Sequence, residues 1–323
     1  MTNHLSRRGA LAAGAGTAAV SLLGGGGPAI AASPMLGAAR PTYYRFVLGG
    51  FEVTTLLDGA IQLDGPHPIF GQDQTAEAVE ALAEANHLPA TRMEIGFTPV
   101  LVNTGNELVL FDSGNGPGRR PSAANLVQTL AAAGYTPEQV DVVVLTHFHG
   151  DHVGGLIEDG SVVYPNARLV THAREFDFWT AEERLSGPTE NTARLVQANV
   201  VPLAERMTFI DDGQDAASGI TMVAAHGHTP GHAAYHIESE GRRLLLWADA
   251  ANHYVMSVQR PDWHVRFDMD KEMAAATRRQ LLDMAAAERI PATGYHMPFP
   301  AVGFVEADGA GYRWVQASYQ LNL

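Results

Sequence analysis

Thr146-His147-Phe148-His149-Gly150-Asp151-His152 follows directly on a valine-rich run at residues 140–145. That run is continuous, mostly apolar and β-branched, so it reads as a buried strand, and the polar cluster sits at its end. His147 and His149 lie two apart, so in extended backbone their side chains point to the same side. Imidazole nitrogens placed that way can converge on one ion at about 2.0–2.1 Å. Asp151 and His152 fall where the chain turns away from the strand, within reach of a second ion. Three imidazoles and a carboxylate buried together are costly unless a cation satisfies them.

Outward from this cluster, further candidates stand at or just beyond expected strand ends. His228 lies in Gly227-His228-Thr229-Pro230-Gly231-His232, after a strand expected at 220–225. Asp249 closes an apolar strand expected at 243–247. His296 follows one expected at 290–294. Loops at sheet ends are where binding residues from distant parts of a chain meet. The remaining pattern predicts strands at 44–47, 51–57, 98–103, 107–112, 162–163, 168–171, 207–210, 233–238 and 312–315. Helices are expected at 76–87, 122–133, 172–182 and 270–289. Strand pairs open each half of the chain and helices follow them. Two such halves facing each other give an α/β fold, a four-layer αβ/βα sandwich, with no short repeat.

Five elements now stand in order: Phe111-Asp112-Ser113-Gly114, His-x-His-x-Asp-His at 147–152, Gly-His-Thr-Pro-Gly-His at 227–232, Asp249 after a strand, and His296. This series resembles the metallo-β-lactamase superfamily over nearly all of the chain beyond its first thirty residues. The stretches 133–141, 294–300 and 311–315 are similar to methyl parathion hydrolase and its lactonase relatives. The resemblance implies a first metal on His147, His149 and His228, a second on Asp151, His152 and His296, and Asp249 shared by both. Two departures stand out: His226 where the family often has Pro, and Ala248 where it usually has Gly.

The cofactor expectation is two divalent metal ions, zinc by default, with manganese, cobalt and iron open on the same ligand set. Two adjacent ions lower the pKa of a shared water toward about 7. The expected activity is therefore a binuclear metal-dependent hydrolase. Its bridging hydroxide attacks a lactone or aryl ester carbonyl, or an organophosphate triester, with Asp249 and Asp151 as the catalytic carboxylates. β-Lactam or thioester hydrolysis on the same fold, and a non-catalytic periplasmic metal-binding protein, are the alternatives. Phe148 and Trp179 are expected to face the substrate. His232 and Asp112 are expected to orient ligands by hydrogen bonds rather than to ligate. His226 is set aside because His228 occupies the family position, and Gly154-Gly155 is expected to let backbone pass close to the cluster.

The composition narrows the field further. The 323 residues contain no cysteine, which excludes disulfides, thiolate ligands and a thiol nucleophile. No Gly-x-Ser-x-Gly elbow is present. His149 stands where the di-iron redox branch has a carboxylate. Asp151, His152 and His296 complete a second site that the single-iron dioxygenase branch lacks. A net charge of −14 repels phosphate backbones, so no nucleic-acid partner is expected. The expected partner is a small-molecule ester or lactone, and a homodimer is left open.

Ser6-Arg7-Arg8-Gly9-Ala10-Leu11-Ala12 precedes a mildly apolar Ala/Gly-rich stretch and the small-residue pattern Ala29-Ile30-Ala31. Residues 1–31 resemble a twin-arginine export signal, with the hydrolase domain at 32–323. A periplasmic or secreted protein with no stable membrane span after processing is expected.

Overall fold

A computed structural model describes residues 33, 35 and 37–322. The expected export signal at 1–31 lies outside the described residues. Pro41–Leu323 forms one compact unit.

Two seven-stranded mixed sheets carry the unit. The first contains Tyr43–Leu48, Phe51–Leu56, Val100–Asn103, Leu108–Phe111, Val142–Val144, Arg168–His172 and Met207–Ile210, neighbours in that order. The second contains Asp215–Ala217, Ile220–Ala224, Ala233–Ser239, Arg242–Ala248, Ala292–Gly294, Val302–Asp308 and Gly311–Gln316, again in chain order. Alternation within each strand sends one set of side chains to each face. Val53, Val102, Val109, Val142 and Val144 of the first sheet meet Ile220, Tyr235, Ile237, Leu244 and Leu246 of the second in one buried cluster. The opposite face of the first sheet, with Leu101, Leu110, Val143 and Leu169, packs on Leu126, Leu130, Ala193 and Val196 from two helices. The opposite face of the second sheet, with Leu245 and Ala292, packs on Leu281, Leu282 and Ala285 of the helix Lys271–Glu288. Helix, sheet, sheet and helix therefore stack as the four-layer sandwich that the sequence predicts.

Several elements differ from expectation. Gly59 begins the strand Gly59–Asp64, which was not anticipated and which pairs with Arg92–Phe97 in a separate two-stranded sheet. Its backbone runs so close to Ala123 that a Cβ at Gly59 would lie 2.4 Å from the Ala123 Cα. The helix expected from 122 begins only at Leu126, because Ala124 takes a left-handed φ of 66°. The helix Glu190–Asn199 and the strand Val302–Asp308 were not anticipated. Among the described residues, no helix is long and apolar enough to cross a membrane.

Candidate metal centre

The central parallel strand Val142–Val144 delivers the first cluster to the edge of the core. The chain runs through Thr146 to His147 and His149, then turns into the short helix Gly150–Val153, which carries Asp151 and His152. This turn needs backbone to pass backbone. A Cβ on Gly155 would sit 2.1 Å from the Ser113 carbonyl oxygen, so only glycine fits there. The second sheet supplies His228 from the loop before Ala233–Ser239, Asp249 immediately after Arg242–Ala248, and His296 just past Ala292–Gly294.

All seven side chains meet at one place. His147 Nε2 and His228 Nε2 lie 3.1 and 3.0 Å from His149 Nδ1. Asp249 Oδ2 stands 3.3 Å from His228 Nε2 and 3.1 Å from His296 Nε2, while Asp249 Oδ1 is 3.3 Å from His152 Nε2. Asp151 Oδ2 lies 3.6 Å from His152 Nε2 and 3.5 Å from His296 Nε2. Three overlapping donor groups result: His147–His149–His228, His147–His152–Asp249 and Asp151–His152–His296. Tetrahedral coordination at ~2.0–2.1 Å separates neighbouring donor atoms by about 3.3 Å, which is the spacing seen. Buried His152 Nε2 and Asp249 Oδ1 have no hydrogen-bond partner. Unsatisfied buried polar atoms demand an explanation, and a cation between them supplies it. These His and Asp groups are able to hold metal ions.

Hydrogen bonds from behind fix three of the rings. His152 Nδ1–H donates to Asp112 Oδ2 at 2.8 Å, and Asp112 in turn accepts from the Thr146 amide and hydroxyl. His228 Nδ1–H donates to Asp268 Oδ1 at 2.8 Å, and His296 Nδ1–H to the Gly96 carbonyl at 2.8 Å. In all three the Nε2 lone pair is left facing the centre. His232 Nδ1–H donates to the Ala225 carbonyl, and its Nε2 accepts from the Asp249 amide at 3.1 Å. Asn252 donates to Asp249 Oδ2, and the Tyr295 hydroxyl donates to the Asp151 carbonyl. His226 instead packs edge-on against His172, away from the centre.

Proton affinities follow from burial and mutual charge. Desolvation lowers His147 well below its ordinary value, helped by the neighbouring His152 and His149. Desolvation, then the charge of His228, brings His149 down to about 3. Burial also acts to lower His152, but the charges of Asp249, Asp112 and Asp151 outweigh it and hold His152 well above 6.5. His296 is raised for the same reason, with Asp249 and Asp151 overcoming desolvation. Burial works to raise Asp249, yet His296 and His152 drive it well below its usual range.

The expected aromatic wall needs correction. Phe148 is 0% exposed and Trp179 2%, and both belong to the core beneath the first sheet. Their backbone and ring N–H groups are committed to Glu175, a buried carboxylate that the pattern of residues did not single out. Phe148 N–H donates to Glu175 Oε1 at 2.9 Å and Trp179 Nε1–H at 2.8 Å. A cavity of about 460 Å³ does open over His149, Asp151, Asp249 and His296, but its apolar wall is Ile61, Leu63, Ile95 and Phe97 of the two-stranded sheet, with Phe267. Asp268 was missed as well. Its partner Arg278 lies in a helix whose Ala, Leu and Met content advertises only packing.

The metallo-beta-lactamase superfamily matches residues 98–293. The chain belongs to that superfamily. Among solved structures, it is similar to AidC, described as a dizinc quorum-quenching lactonase in complex with a product, at 25% identity and TM-score 0.77, covering 86% of this chain and 98% of AidC. The hydrolase AbOPH is 27% identical with TM-score 0.80, covering 87% of this chain and 99% of its own. A probable metallo-hydrolase of Mycobacterium tuberculosis is 30% identical over 181 residues, 48% of this chain and 56% of that protein. The chain thus spans little more than half the length of the first curated relatives it matches.

Proposed function

We propose that this chain is a binuclear metal-dependent hydrolase of compact, mostly apolar lactones or aryl esters. Organophosphate triester cleavage is the side activity of the same site. The observation that carries the reading is the convergence of seven side chains into overlapping donor groups beside an apolar-walled cavity. Its volume falls within the range of small-molecule sites, about 300–1,000 Å³. The likeness to AidC supports the lactone class, and its two zinc ions support zinc here.

In this proposal His147, His149 and His228 hold one cation, Asp151, His152 and His296 the other, and Asp249 touches both. Such cations, when bound, acidify water and polarise the scissile carbonyl. The chain's own work is positioning. Asp112, Asp268 and the Gly96 carbonyl fix the rings of His152, His228 and His296. Asn252, donating to its Oδ2, and the His232 ring, accepting from its amide, would fix Asp249 where it meets both cations. Asp151, its side chain 18% exposed, brings a second carboxylate to the cavity floor. Ile61, Leu63, Ile95 and Phe97 hold the apolar part of the substrate and exclude solvent.

A panel of p-nitrophenyl acetate, dihydrocoumarin, an acyl-homoserine lactone and methyl parathion tests the reading. The expected result is lactone turnover that a chelator abolishes and zinc restores. Inactivity on all four refutes it. We further propose that residues 1–31 direct export. Fractionation of cells expressing the chain, against an Arg7→Lys/Arg8→Lys variant, is expected to place only the former in the periplasm or medium, and equal distribution refutes that.

A further inference from the structure

Glu175 is 0% exposed, and its two oxygens accept four hydrogen bonds. Oε1 accepts from Phe148 N–H and Trp179 Nε1–H; Oε2 accepts from the Thr229 hydroxyl at 2.7 Å and Gly231 N–H at 2.9 Å. Three of these donors, Phe148, Thr229 and Gly231, belong to the two ligand-bearing loops. Phe148 lies between His147 and His149, and Thr229 directly follows His228. The same carboxylate therefore grips backbone or side chain within one residue of every member of the His147–His149–His228 group. Among the described residues, it makes no hydrogen bond to Asp151, His152 or His296. The approach is close enough to dictate sequence: a Cβ on Gly231 would lie 2.3 Å from the Glu175 nitrogen.

The two loops come from opposite halves of the fold. Besides the histidine rings, the Ala233 N–H to Thr146 carbonyl bond at 3.0 Å and Glu175 tie them together. A buried carboxylate with four donors is a stiff tie, because each charge-assisted bond is strong and an unmatched one is expensive. The geometry points to Glu175 as a positioning residue that sets the spacing of His147, His149 and His228, and so the affinity of the one cation they share. The inference rests on the metal-binding reading above.

Glu175→Gln is the direct test. Its amide places an NH2 group against donors that can only donate, such as Gly231 N–H, and so opens the tie on one side. Metal-free protein is titrated with Zn2+ by calorimetry, and zinc content is measured by elemental analysis after dialysis. Wild type is expected to retain two ions per chain and Glu175→Gln one, with affinity for the weaker ion reduced roughly 10–100-fold. Trp179→Phe, which removes one donor but leaves the loops joined, is expected to retain both ions. A folded Glu175→Gln protein that keeps both ions, or weakens both equally, overturns the inference. So does Trp179→Phe losing an ion to the same degree, since that pattern marks a general loosening of the core. If Glu175→Gln fails to fold, Thr229→Val carries the test: a smaller loss of the same single ion supports the inference and unchanged binding overturns it. A wild-type chain that binds no zinc sinks the metal reading itself, a different outcome from two ions in every variant.

Discussion

Arg278→Met should unfold the metal-free protein far more readily than an ordinary core substitution. The Arg278 side chain is 0% exposed, and its NH2 group donates to Asp268 Oδ2 at 2.7 Å. Its Nε donates to the Ala250 carbonyl and its NH1 to the Pro261 and Trp263 carbonyls. Methionine fills much of the volume but leaves the Asp268 charge with His228 as its main partner. Breaking a buried ion pair from one side costs about 3–5 kcal/mol. At about 2–4 °C per kcal/mol for a domain of this size, Tm should fall by roughly 6–20 °C. Thermal unfolding followed by circular dichroism in chelator is the assay, since bound metal would add stability by mass action. Burial pushes the Asp268 carboxyl up, but the bond from His228 and the charge of Arg278 prevail and hold it below 3.8. A depressed carboxylate contributes stability that is present above its unfolded pKa and lost as pH falls through the folded one. The gap between wild type and Arg278→Met should therefore narrow in acid below about pH 4. Arg278→Met/Asp268→Asn, with both charges gone, should recover part of the loss. A single variant within about 1 kcal/mol of wild type at neutral pH would refute the reasoning.

Three further outcomes are expected. Ala248 is buried at a left-handed φ of 46°, so Ala248→Gly should stay within about 1 kcal/mol of wild type, while the β-branched Ala248→Val should lose more than about 2 kcal/mol; denaturant melts read both, and a tolerated valine contradicts the account. His152 and His296 have raised proton affinities, so metal competes with protons for their Nε2 atoms and its affinity should rise with pH; zinc calorimetry in buffers of different ionisation enthalpy should show net proton release, and buffer-independent heats would contradict this. Ile61→Asn removes part of the apolar cavity wall, so KM for an apolar lactone should rise roughly tenfold, about 1.4 kcal/mol, with zinc content unchanged; an unchanged KM places the substrate elsewhere.

The donor cluster was legible because metal chemistry restricts its residue types. Few side chains can ligate, and His147, His149, Asp151 and His152 follow one another just past one strand end. The fold was legible where valine-rich runs such as 142–144 announced buried strands. The cavity wall was not. Arg92-Met93-Glu94-Ile95 alternates as a strand should, but its role depends on where a long connection places it, and no local pattern encodes that. Phe148 and Trp179 were misplaced because an aromatic residue beside a ligand can point to substrate or to core with equal local propensity. A buried carboxylate, Glu175, decided the matter, drawing the Phe148 amide and the Trp179 indole beneath the sheet. Asp268 and Arg278 are ordinary surface residue types whose burial arises only from the packing of Lys271–Glu288 against the second sheet.

The most direct measurement is anomalous diffraction at the zinc edge from crystals of the zinc-loaded protein. Two peaks are expected, one against His147, His149 and His228 and the other against Asp151, His152 and His296, with Asp249 touching both. A single peak, or zinc bound away from these side chains, would contradict the account.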